Sequence, residues 1–127
     1  MRDFHTLKIW QRSHQLTLDV YEATRLFPTE ELFGLTSQLR RAVASIPTNI
    51  AEGCGRASNK DFAHFLQIAI GSLSEVEYEL LLANSLNYIE ENNYRLLSEE
   101  TVAVRKMIIN YRHELIAHNS QLTPHNS

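Results

Sequence analysis

Apolar residues at alternating steps of four and three, Phe62, Leu66, Ala69, Leu73, Val76, Leu80 and Ala83, constrain this chain more than any other feature. That spacing keeps one seam of an α-helix turned toward a neighbouring helix at a shallow crossing angle. It predicts a long helix from about Asn59 to Leu86, and Ser58, three residues ahead of Asp61, has the spacing of a capping box at its start. Ala69, Gly71 and Ser72 are small residues in its middle. A glycine there costs about 1 kcal/mol against alanine, so its presence predicts close approach by a neighbouring backbone. Glu75 and Glu79, one turn apart, are expected on an outward face.

Three further helices follow from the same period. The first should run from about Thr6 to Phe27, where Pro28 stops it. At 100° per residue, Leu7, Trp10, His14, Leu18 and Tyr21 fall on one face, and Ile9, Leu16, Val20, Ala23 and Phe27 fall nearly opposite. One stripe serves the protomer's core. The other is either half exposed, as scattered surface apolar residues are, or covered by a second subunit. Periodicity does not say which is which; Ile9, Leu16, Val20, Ala23 and Phe27 are taken as the candidate subunit interface. Thr29 to Leu35 reads as a connection flexible at Gly34, Thr36 as the cap of the second helix, and Leu39, Val43, Ile46 and Ile50 as its buried stripe. After a polar connection from Tyr88 to Leu97, Ser98 is the expected cap of a fourth helix reaching about His118. Glu99 and Glu100 suit its positive end, and Val104, Ile108, Tyr111 and Leu115 are turned inward. Residues 1–118 then form one domain, and 119–127, without an apolar period, a frayed tail.

The corner between the second and third helices is the stretch SIPTNIAEGCGR, residues 45–56. Pro47 has no N–H and crowds the carbonyl four residues back, so the Val43 carbonyl should lose its helical partner and the helix should bend or loosen. Gly53 suits a left-handed helix end, and Gly55 frees the turn behind it. Pro47, Gly53 and Gly55 are therefore the structural residues of a helical hairpin corner. Four helices with short connections predict an all-α, antiparallel up-and-down four-helix bundle.

Composition narrows the function classes. Four glycines and three prolines in 127 residues, 43% of them hydrophobic, suit one soluble helical domain with its own core. A net charge of −3 argues against strong nonspecific nucleic-acid binding by the domain as a whole, and leaves local basic patches as the place to look. The single Cys54 excludes an internal disulfide and fits a reducing, cytoplasmic setting. No apolar run approaches the roughly 18 residues of a membrane span, and MRDFHTLKIW has no signal-peptide core.

Catalytic and metal readings are weighed by residue type. No glutamate has a histidine three residues later, as a di-iron bundle requires. The six histidines, His5, His14, His64, His113, His118 and His125, are dispersed, and one cysteine builds no structural zinc site. Neither a metal nor a cofactor is expected. Cys54 as a nucleophile would want a nearby base; a small turn residue is the plainer role. Arg112, His113 and His118, in RHELIAH, resemble the arginine and histidine spacing of helical nucleases of the HEPN class, where an arginine binds phosphate and a histidine moves a proton. A histidine at a helix end also stabilises the dipole without chemistry. The guanidinium forks of Arg40 and Arg41 suit phosphate or carboxylate, and Glu52 is a candidate partner for one of them.

LKIWQRSHQLTLDVYEAT, FGLTSQLRRAVASIPTNIAEGCGR and GSLSEVEYELLLA resemble the family named for proteins encoded in intervening sequences of bacterial 23S ribosomal RNA genes. The resemblance spans Leu7 to Tyr88, with SIPTNIAEGCGR its most specific part. It implies a left-handed four-helix bundle assembling into a cyclic pentamer. It also implies similarity to the pentameric accessory protein of diversity-generating retroelements, thought to bind nucleic acid and reverse transcriptase. The expected function is thus a noncatalytic oligomeric scaffold for RNA, DNA or a nucleic-acid-handling protein, with an RNA-cleaving enzyme as the alternative. Its candidate nucleic-acid contacts are Arg40, Arg41, Arg56, Lys60, Arg105, Lys106 and Arg112, which symmetry would gather into a ring.

Overall fold

The protein's structure, a computed structural model, describes residues 2–122, with side chains through His118. Helix α1 is Lys8–Thr24, α2 Leu35–Cys54, α3 Asn59–Ser85 and α4 Glu91–Leu122, with 3₁₀ turns at Phe4–Thr6 and Thr29–Glu31 and no strand among the described residues. α1 packs on α2 and α4, α2 on α3, and α3 on α4, so neighbours share faces and the diagonals stay apart. All seven residues of the α3 seam are buried, as the period requires, and Ser58 caps α3 by accepting from the Asp61 N–H at 3.1 Å. The fourth helix's backbone continues past His118 to Leu122; the rest of the expected tail lies outside the described residues.

Packing corrects the reading of α1. Ile9, Leu16, Val20 and Phe27 are buried in the protomer's own core, and Ala23 is partly buried against it, so this stripe is not the subunit interface. The opposite stripe keeps Leu18 49% and Tyr21 41% exposed. The two stripes have equal periodicity, but α2 and α4 both pack toward the first. Thr17 reaches Val43 on α2, and Arg12 reaches Glu100 and Met107 on α4. The helix ends at Thr24, short of Phe27, because the Leu26 and Phe27 N–H groups bond three residues back to Ala23 and Thr24 and tighten the last turn.

Helix α2 runs unbroken through Pro47. Thr17 Oγ1 lies 2.8 Å from Ser13 O and 3.2 Å from Val43 O, so its single proton is shared between its own helix and the carbonyl that Pro47 strips of a helical donor. Around the proline, Ser45 and Thr48 hydroxyls donate to the Ala42 and Ala44 carbonyls, and Asn49 Nδ2 donates to Ser45 O. Thr36 is not the cap: it sits inside the helix, buried, with its hydroxyl unpaired. Glu31 Oε1 accepts from the Leu35 N–H at 3.1 Å instead, and a Cβ on Gly34 would lie 2.7 Å from that oxygen. The second Glu31 oxygen accepts from the Tyr88 hydroxyl at 2.9 Å, which pins the α3–α4 turn to the α1–α2 turn.

No described glycine has a positive φ, so Gly53 is not a left-handed cap. Its lack of a side chain answers packing: a Cβ there would lie 2.5 Å from Phe62 Cδ1 and 3.1 Å from Phe65 Cβ. Gly55 ends the helix at φ −83°, open to any residue, with Glu52 O an ordinary 3.5 Å from a built Cβ. Gly53→Ala is therefore expected to lower stability by about 1–3 kcal/mol through overpacking, and Gly55→Ala to leave it within about 0.5 kcal/mol, by denaturant titration. Equal midpoints for the two variants would remove the packing role of Gly53.

The left-handed position belongs to Asn87, at φ 64°, where the Tyr88 N–H reaches back to Ala83 O and closes α3. α4 then starts at Glu91, well before Ser98, because Glu90 Oε1 accepts from the Asn93 N–H at 2.7 Å. Ser98, Glu99 and Glu100 lie within the helix, and Glu100 is paired with Arg12 at 2.6 Å. Gly71 is exposed with nothing within 4 Å of a built Cβ, so no neighbour in the protomer explains it. Glu79 is not outward-facing: it is 6% exposed.

Candidate nucleic-acid interface

The candidate basic residues do not form one patch. Arg56 is paired with Glu52 at 2.9 Å and lies over the Phe65 ring, and Arg105 is paired with Glu77 at 2.6 Å. Glu52 is thus not the partner of Arg40 or Arg41. It stands one turn from Arg56, whereas the unbroken helix carries it about 16–18 Å from the other two at 1.5 Å per residue. Lys60 and Arg112 line a small hollow between α3 and α4, where Arg112 Nε donates to Ala63 O at 3.0 Å; Lys106 is exposed elsewhere on α4. His113 lines a neighbouring α3–α4 hollow with Arg112, Ile109 and Ile116, and His118, exposed further along the helix, does not line it.

Arg40 and Arg41 differ from the paired arginines. The Arg40 guanidinium lies 4.9 Å over the Tyr21 ring, with Nε donating to Thr24 Oγ1 at 2.7 Å. Arg41 donates to Ser37 Oγ at 3.0 Å. Among the described residues neither guanidinium is within 4.0 Å of a carboxylate, so both charges are unbalanced. They line a hollow of about 600 Å³ with Tyr21 and Phe33, and Phe33 is 93% exposed.

A second hollow, of about 560 Å³, continues it along α1 and α2 and shares Ala44 and Thr48 with it. Phe4, Trp10 and His14 line this end, above Pro47. The Trp10 and His14 rings stack 4.9 Å apart at 8°, and Phe4 tilts against Trp10 at 4.9 Å. Its one acidic lining residue is Glu52, which Arg56 holds. The signal for this surface is the placement of rings at 10, 14 and 21 on one side of α1, a pattern equally readable as an apolar stripe.

Two other groups invite chemistry. Burial pushes the Cys54 thiol above its ordinary range, which opposes a nucleophilic role. The Glu79 carboxyl is pushed up to about 7, first by burial and then by the charge and hydrogen bond of Glu75, and its Oε1 has no partner. Among the described residues no three His, Cys, Asp or Glu side chains are grouped to hold a metal, and no helix is long and apolar enough to cross a membrane.

Four mutually packed helices with an open surface of aromatic rings and uncompensated arginines place the protein among helical-bundle proteins. It belongs to the family of 23S rRNA-intervening sequence proteins, which it matches over residues 5–110, as the resemblance of its helical segments implied. A protein of unknown function from the S23 ribosomal protein family of Bacteroides thetaiotaomicron has a similar fold in its crystal structure. The TM-score is 0.74 at 24% identity, over 82% of this chain and 97% of that one. No curated protein matches the chain.

Proposed function

We propose that this protein is a noncatalytic scaffold that binds nucleic acid, structured RNA foremost, as a left-handed up-and-down bundle assembled into a cyclic oligomer in the cytoplasm. The observation that carries the reading is the pair Arg40 and Arg41, held without a carboxylate beside the exposed rings of Tyr21 and Phe33. In an acidic chain such unbalanced guanidinium charge suits a polyanion, and cyclic symmetry multiplies it. The resemblance to pentameric bundles supports a ring of five. The surface it leaves for a second copy is the outward face of α3, where Ile68 and Tyr78 are exposed around the open space at Gly71.

Mobility shifts of structured RNA at graded salt test the binding. Affinity should fall as salt rises, and the double variant Arg40→Ala with Arg41→Ala should bind more weakly across unrelated sequences, with a log–log salt slope shallower by about 1–2. Absence of salt-sensitive binding at low ionic strength would sink the nucleic-acid reading and leave a partner such as a reverse transcriptase. RNA cleavage that disappears in His118→Ala would overturn the noncatalytic one. A monomeric mass by light scattering at micromolar concentration would remove the ring.

A further inference from the structure

We propose that the α1–α2 groove takes the unstacked bases of a single-stranded nucleic acid, with Trp10 and His14 as a stacking platform and Arg40 and Arg41 as the phosphate anchor. The proposal rests on the nucleic-acid reading above and specifies which form of the polymer is recognised.

Recognition of single strands without base-edge readout needs flat aromatic surfaces along a positively charged track. The groove has both. Trp10 is partly buried against the core and touched by Phe4, and His14 stacks on it at 8°, so the exposed outer face of His14, backed by Trp10, is the surface a base meets. A platform already ordered loses little entropy on binding. Eleven residues further along α1, about 16 Å at 1.5 Å per residue, Tyr21 is 41% exposed beneath the Arg40 guanidinium. A stacked strand rises roughly 3.4 Å per nucleotide and an unstacked one more, so that separation is spanned by fewer than about five unstacked nucleotides.

Charge selects the occupant. Among the described residues Arg40 and Arg41 have no carboxylate partner within 4.0 Å, and Glu52, which lines the groove, is already bound to Arg56. An anionic backbone near the arginines with planar groups toward Trp10 and His14 matches this arrangement. A duplex does not, because its bases are stacked on one another and present no free face. In a structured RNA the matching elements are loops and unpaired ends.

Trp10 is the only tryptophan of the chain, so its emission reports on the groove. The full chain is titrated at fixed low salt with a single-stranded RNA of about ten nucleotides, in the range of single-strand site sizes, and with the duplex of the same sequence. The single strand is expected to bind more tightly and to quench Trp10 emission. His14→Ala, an exposed position, should weaken single-strand binding about fivefold or more and leave duplex affinity unchanged. Arg40→Ala with Arg41→Ala should weaken both. Salt-sensitive binding with unchanged Trp10 emission, no preference for the single strand, or no effect of His14→Ala would overturn the groove while leaving the nucleic-acid reading intact. A lower oligomer mass in His14→Ala with unchanged affinity would also overturn it, placing a second copy in the groove. Absence of any binding would overturn both.

Discussion

Val20→Glu is expected to unfold the protomer, whereas Leu18→Glu is expected to leave it folded. Both residues belong to α1 and both are apolar, but Val20 is fully buried and Leu18 is 49% exposed. A carboxylate at position 20 enters a core lined by aliphatic side chains, with no cation supplied to meet it. The effective penalty of burying an unpaired ion is several kcal/mol, and a domain of this size has only about 5–15 kcal/mol of stability in all. Leu18→Glu places its charge in water, where surface changes stay within about 0.5 kcal/mol. Far-ultraviolet circular dichroism with thermal melting separates the two. A Val20→Glu protein that keeps the wild-type melting temperature and loses only oligomer mass would return this stripe to the subunit interface.

Glu79→Gln is expected to stabilise the protein above neutral pH and to do little in acid. The carboxyl is 6% exposed, beside Glu75, and its folded pKa of about 7 lies above the ordinary 4.5. A raised acid pKa means that the folded state holds its proton more tightly than the unfolded chain. The stability linked to it is complete below about pH 4.5 and is lost as pH rises through about 7. At 1.36 kcal/mol per pKa unit, the full difference is about 3 kcal/mol at most. Melting curves of wild type and Glu79→Gln at pH 4.5 and pH 8 isolate this group from the histidines, which both proteins share. The two should differ by up to about 3 kcal/mol at pH 8 and converge in acid. Parallel curves across that range would show that Glu79 is not held in its neutral form.

The α3 seam and its Ser58 cap were legible because a helical period and a capping hydroxyl act over three or four residues of chain. The family was legible for a similar reason, since long runs of the helical segments carry it. Boundaries were less so. Capping by Glu31 and Glu90 uses longer side chains than the serine and threonine sought at Thr36 and Ser98, and the left-handed residue expected at Gly53 in the α2–α3 corner occurs instead in a different turn, at Asn87 between α3 and α4. Lys60 and Arg112 share a hollow although 52 residues separate them, while Arg56 and Arg105 are consumed by Glu52 and Glu77.

Local sequence by itself determined where helices could form, which residues were apolar at helical spacing, and that Pro47 would orphan the Val43 carbonyl. Tertiary structure decided what each pattern was for. Thr17 on α1 approaches the orphaned carbonyl, Phe62 and Phe65 leave no room for a side chain at Gly53 without a shift, and the placement of α2 and α4 chose between two equally periodic stripes of α1. The groove came into being the same way, when α1 laid Trp10, His14 and Tyr21 alongside the Arg40 and Arg41 of α2. A helical period states the angle of a side chain about its own axis; only the packing of a second helix states whether that angle meets core, solvent or a partner.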